Sequence, residues 1–157
     1  MQDVDMAGKL RNFFAKGGSL RMLNDIPQED LSNLYAYASE LQKKGDLAAA
    51  RNIFFLLVYC DHWSADYLLG MAIISQDLGA HEDAIIYLAQ ATSVLITDPR
   101  PLWLTGKSMM ALGMWEDAKL AFENALLLIN NSQEWDLIKN YCEKQMVLCK
   151  TKLKIED

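Results

Sequence analysis

From Leu31 to Lys44, and again from Leu47 to Asp61, apolar side chains recur at helical rather than alternating spacing, which predicts two amphipathic helices separated at Gly45. The pattern then repeats. Gly45, Gly79 and Gly113 are spaced by 34 residues, and the same step relates Ala50, Ala84 and Ala118, and also Leu34, Leu68 and Leu102. It relates the small set Ala38, Ala72 and Gly106 and the large apolar set Phe54, Leu88 and Phe122 as well. Five registers that agree on one period predict three copies of one helical hairpin. In each copy the glycine ends the first helix, where a left-handed residue costs least, and the small residue at 38, 72 or 106 lets the partner helix approach closely. Ala50, Ala84 and Ala118 are expected to face those small residues from the second helix.

Outside the hairpins, residues 132–152 carry Trp135, Ile138, Tyr141, Cys142, Gln145 and Cys149 at steps of three and four, with many charges between them, which predicts a terminal capping helix. Near the start, Met6, Leu10, Phe13 and Phe14 share one helical face. Gly17-Gly18 follows as an expected hinge, then Leu20, Met22 and Leu23 before Pro27. The apolar face has two expected uses: packing back on the first hairpin, or self-association into a homodimer through Leu10, Phe13 and Phe14.

A helix-turn-helix unit of 34 residues resembles the tetratricopeptide repeat, and three copies frame as 31–64, 65–98 and 99–132. The usual final proline of that repeat is replaced by His62, Ile96 and Asn130, and its first aromatic by leucine throughout. The resemblance implies an all-α chain in which the repeats form a right-handed superhelix over residues 31–132. Residues 1–30 form an N-terminal helix and linker, and residues 133–157 the capping helix and tail.

Composition narrows the function by exclusion. The 157 residues carry 15 Lys and Arg against 21 Asp and Glu, a formal charge of −6, which argues against binding phosphate backbones; no nucleic-acid partner is expected. The longest apolar run, Ile53 to Cys60, is far short of the roughly 18–20 residues a membrane-spanning helix needs, so no membrane insertion is expected. Acids stand near the start where a signal peptide would be positive, so export through the general secretory route is not expected. Cys60, Cys142 and Cys149 lack metal or redox spacing and are expected as reduced, buried thiols. His62 and His81 belong to no metal motif, and Glu82-Asp83 recurs one period later as Glu116-Asp117, which fits acids at helix starts rather than chemistry. Asn130-Asn131-Ser132 matches a glycosylation pattern but reads as a turn without export. No catalytic set, metal site or cofactor is expected.

What remains is surface. Stacked hairpins curve so that their first helices line a concave face, and repeat positions 5, 9 and 12 give Tyr35, Ser39, Gln42, Leu69, Ile73, Gln76, Trp103, Lys107 and Met110 as its lining. Co-chaperones that grip acidic C-terminal tails place Lys and Asn where this chain has Tyr35 and Ser39. A carboxylate clamp needs several converging cations, and this face offers Lys107 and, at its edge, Arg100. The lining suits apolar anchors, with Gln42 and Gln76 available to a bound backbone; the alternative for Leu69 and Ile73 is burial between helices.

The acidic three-repeat frame, the stretch Phe13-Phe14-Ala15-Lys16-Gly17-Gly18-Ser19-Leu20, the segment from Leu34-Tyr35 to Gly45, and Tyr59-Cys60-Asp61-His62-Trp63 together resemble the class II chaperones of bacterial type III secretion. The resemblance runs from about residue 10 to 130. It implies a cytoplasmic, non-enzymatic chaperone that binds an extended segment of hydrophobic translocator proteins in its groove and keeps them soluble before secretion. By position, Tyr35 matches a groove aromatic of that family and His62 its histidine near the first repeat boundary. Dimerisation through N-terminal helices is also implied. The alternative is a generic repeat scaffold for other proteins.

Overall fold

The computed structural model describes residues 2–129 and 133–156, with side chains placed from residue 8 to 155; the Met6 side chain and the expected turn at 130–132 lie outside the described residues. It contains α1 (Gln2–Ala15), α2 (Leu20–Leu23), α3 (Gln28–Lys43), α4 (Leu47–Cys60), α5 (Ala65–Asp77), α6 (His81–Val94), α7 (Arg100–Ala111), α8 (Trp115–Leu128) and α9 (Asp136–Glu156). A 3-10 turn at Gln133–Trp135 leads into α9, and no strand occurs among the described residues. The chain packs as two compact units that divide between Tyr67 and Leu68.

Each first helix stops in the same way. Gly45, Gly79 and Gly113 have φ of +83°, +75° and +75°, a left-handed conformation that a side chain would strain. The Gly45 N–H donates to Gln42 O at 3.0 Å and the Asp46 N–H to Leu41 O at 3.0 Å, so two carbonyls orphaned by the helix end are satisfied. Gly79 with Ala80, and Gly113 with Met114, repeat both bonds at 2.8–3.0 Å. The Gly17-Gly18 segment, expected as a hinge, is a fourth stop of this kind: Gly17 has φ +85°, and the two N–H groups donate to Phe14 O and Phe13 O at 3.0 Å. A paired stop holds α1's end in place, which a hinge would not.

The second helices begin on acid. The Asp46 carboxylate caps α4 by accepting from the Ala49 N–H at 3.2 Å. In α6 and α8, Glu82-Asp83 and Glu116-Asp117 sit in the first turn, at the positive end of the helix dipole.

In the first unit Leu31, Ala38, Ala50, Phe54 and Leu57 are buried between α3 and α4. In the second, Ala118, Phe122 and Ala125 of α8 pack on Cys142 and Cys149 of α9. Burial pushes the Cys142 thiol up to about 11 and raises that of Cys149, so both act as small apolar groups. A Cβ at Gly106 would stand 2.4 Å from the Phe122 ring, so Gly106 receives Phe122, one helical turn beyond Ala118 on the same helix. The missing side chain at 106 is what leaves room for the ring against the α7 backbone.

Gly106→Ala is therefore expected to lower the melting temperature: overpacking costs about 1–3 kcal/mol, more than the roughly 1 kcal/mol of helix propensity that alanine contributes. In a Phe122→Leu background the same change should cost less, and thermal unfolding of the four variants checks this coupling.

Candidate functional site

Two pockets collect the first-helix residues singled out by the repeat. In the first unit Tyr35 stands edge-on to Phe54, ring centroids 5.8 Å apart, and tilted against Tyr67 at 5.9 Å. With Gln28, Ser32, Ser64, Asp66 and Tyr67 it lines a cavity of about 140 Å³. The Gln28 side-chain amide donates to the Tyr67 hydroxyl at 3.3 Å and fixes that wall.

The second unit holds a larger pocket, about 340 Å³, whose apolar surface comes from Ile73 of α5 and Trp103 and Leu104 of α7, with Gln76, Asp77, His81 and Lys107 around it. Four predicted residues, Ile73, Gln76, Trp103 and Lys107, thus meet. The Gln76 amide nitrogen, expected to serve a bound backbone, instead donates to Leu104 O at 2.8 Å and Ser108 Oγ at 2.7 Å, tying α5 to α7. Lys107 Nζ stands 5.1 Å from the Trp103 ring centroid. Buried His81 Nδ1 and Trp103 Nε1 have no hydrogen-bond partner among the described residues.

The other predicted residues line neither pocket. Leu69 is 6% exposed, so it is a packing residue rather than an open anchor. The Ser39 hydroxyl donates to Tyr35 O at 2.9 Å within its own helix. Gln42 is half-buried on α3. Met110 packs on the α8–α9 cluster, and His62 lies against Trp63 with ring centroids 5.1 Å apart. Arg100 is held by Asp98 at 2.6 Å. Sequence reasoning missed His81 and Asp77 in the larger pocket. The stop at Gly79 was the available signal, because it folds the start of α6 back beside the end of α5.

The comparisons with known proteins follow from this geometry. A tetratricopeptide-repeat family model matches residues 31–63. The chaperone protein SicA of Salmonella typhimurium is 30% identical over 120 residues, which cover 76% of this chain and 70% of that one. This chain belongs to the class II chaperones of type III secretion. A chain in a T3SS complex from Aeromonas hydrophila superposes with a TM-score of 0.88 at 27% identity, over 94% of the chaperone and 98% of that chain. Yersinia enterocolitica SycD, in complex with a peptide of the translocator YopD, shares the fold with a TM-score of 0.77 at 23% identity, over 81% and 97% of the two chains.

Two of the motifs that carried the resemblance meet in the chaperone. Trp63 Nε1 donates to Gly17 O at 2.9 Å across 46 residues, and Arg21 pairs with Asp61 at 3.6 Å. Ser19 caps α2 by accepting the Met22 N–H at 3.3 Å, and Asp61 accepts the Trp63 N–H at 3.2 Å. A Cβ at Gly18 would lie 2.3 Å from the Phe13 ring, so the end of α1 folds tightly onto its own stop. Residues 17–21 are thereby pinned to the end of the first hairpin. Among the described residues, no cluster suited to a metal and no helix long and apolar enough to cross a membrane occurs.

Trp63→Phe removes one hydrogen bond and keeps most of the ring, at a cost of about 1 kcal/mol. Amide exchange should accelerate at residues 17–26 and stay unchanged in α7 to α9; uniform acceleration would show that the contact serves the whole fold instead.

Proposed function

We infer that this chaperone holds a translocator of its own type III secretion system soluble in the bacterial cytoplasm, by covering an extended apolar segment along the first-helix faces of its repeats. The observation that carries the reading is the family membership read together with the apolar-walled pocket at Ile73 and Trp103 and the more polar, tyrosine-lined pocket at Tyr35. SycD binds a translocator peptide on the same fold.

The physical account is one of cover rather than catalysis. A translocator segment destined for a membrane exposes apolar surface that aggregates in water. Each aliphatic anchor buried in a preformed pocket contributes about 1.5–3 kcal/mol, so two or three anchors, less the ordering cost of the segment, give affinity weaker than the micromolar range unless backbone hydrogen bonds add to it. Such a complex protects its client and still releases it without nucleotide hydrolysis.

Co-expression with the cognate translocator should move the translocator into the soluble fraction as a stoichiometric complex. Tyr35→Ala and Ile73→Gln are each expected to weaken capture about tenfold while the far-ultraviolet helical signal persists, since each removes a pocket wall. Leu69→Glu is the contrasting case: a buried unpaired charge should lower the melting temperature first. A translocator that stays insoluble beside folded chaperone would overturn the reading.

The N-terminal helix is proposed to support a homodimer. Phe13 is occupied against Gly18, whereas Phe14 is 42% exposed. Phe14→Glu should therefore lower the sedimentation mass of the free chaperone without loss of helix, and an unchanged mass would exclude this face from self-association.

A further inference from the structure

The larger pocket contains a cation whose partner is an aromatic ring. Among the described residues, Arg21, Lys43, Arg100 and Lys119 each pair with a carboxylate. Among these residues Lys107 pairs with none; its ammonium rests on the Trp103 indole, as that of Lys152 rests on Trp115, but only Lys107 lines the pocket. The chain has a surplus of acids, 21 against 15 basic residues, so this pairing reflects position and not a shortage of carboxylates. An ammonium has three N–H donors, and those not aimed at the indole face remain available to a group that approaches from solvent.

The surroundings give that cation a use. Ile73, Leu104 and the Trp103 ring form an apolar surface beside it. Two buried polar atoms of the same wall, Trp103 Nε1 and His81 Nδ1, have no partner among the described residues, which is uncommon for buried groups and marks a site still short of hydrogen-bonding partners. Asp77 lies among the lining residues on α5, so an incoming carboxylate is favoured only on the α7 side, at Lys107. A single cation is too little for the clamp that holds a free C-terminal carboxylate, but it suffices to read one acidic side chain.

We propose that Lys107 is a specificity-determining residue: the pocket takes an apolar side chain of the client on Ile73 and Trp103, and Lys107 pairs with an Asp or Glu that neighbours this anchor. The proposal rests on the client-binding reading above and deepens it, naming the local chemistry that the second unit selects. A basic residue beside the anchor is disfavoured by the same ammonium.

The test uses a displayed library of short random peptides selected on the full chain and on its Lys107→Gln and Lys107→Glu variants, each first shown to keep its helical signal. The wild-type chain should enrich an apolar residue with an acid within two positions; Lys107→Gln should keep the apolar preference and lose the acidic one, and Lys107→Glu should favour Lys or Arg. A selected peptide with its acid changed to the amide should bind about 5-fold more weakly to the wild-type chain at low salt, with little loss at high salt or on Lys107→Gln. Apolar enrichment without the acid, or an acidic preference that survives Lys107→Gln, overturns the role of Lys107 and leaves client binding standing. Absence of any enrichment on the wild-type chain overturns both.

Discussion

A first helix in this protein has to end abruptly, expose no unsatisfied carbonyls and send the chain back along its own apolar face. The left-handed glycine does all three, because the stop it makes supplies two backbone hydrogen bonds within one turn at Gly45, Gly79 and Gly113. Replacing the orphan carbonyls' lost partners locally means that the hairpin needs no help from a distant element to close. The pockets are consequences of that reversal. It is the stop at Gly79 that carries His81 to the wall already formed by Gln76 and Asp77.

Close helix contact is the second requirement, and it is met differently along the chain. Ala38 and Ala50 are wholly buried in the first unit, whereas Gly106 admits the Phe122 ring in the second. Phe122 then serves two layers, with Tyr141 of α9 edge-on to it at 6.1 Å and to Trp103 at 5.9 Å. The indole that lines the larger pocket is therefore braced from behind by the capping helix. A preformed wall of this kind limits the entropy lost when a flexible client settles on it.

This division of labour suits a chaperone. On the proposed reading, the pockets take apolar side chains with moderate affinity, and polar groups at their margin select the neighbours of those side chains. The buried thiols contribute volume and no reactivity, their protonated form being favoured by burial. At the other end, the bond from Trp63 to Gly17 ties the N-terminal segment to the first hairpin while leaving Phe14 outward.

Fold class, the hairpin period and the membership in type III secretion chaperones were legible from the residues, since each hairpin depends on contacts within a few dozen residues and repeats them at one interval. Repeat position also named Tyr35, Ile73, Trp103 and Lys107, which line the two pockets, for the same reason. The partner of Gly106, the burial of Leu69 and the commitment of Gln76 to Leu104 and Ser108 were not, because a register of 34 fixes which helix faces which but not the offset at which two faces interlock. That offset is decided by side-chain volume and by which hydrogen-bonding groups come within about 3 Å of each other, and only the packed chain determines these.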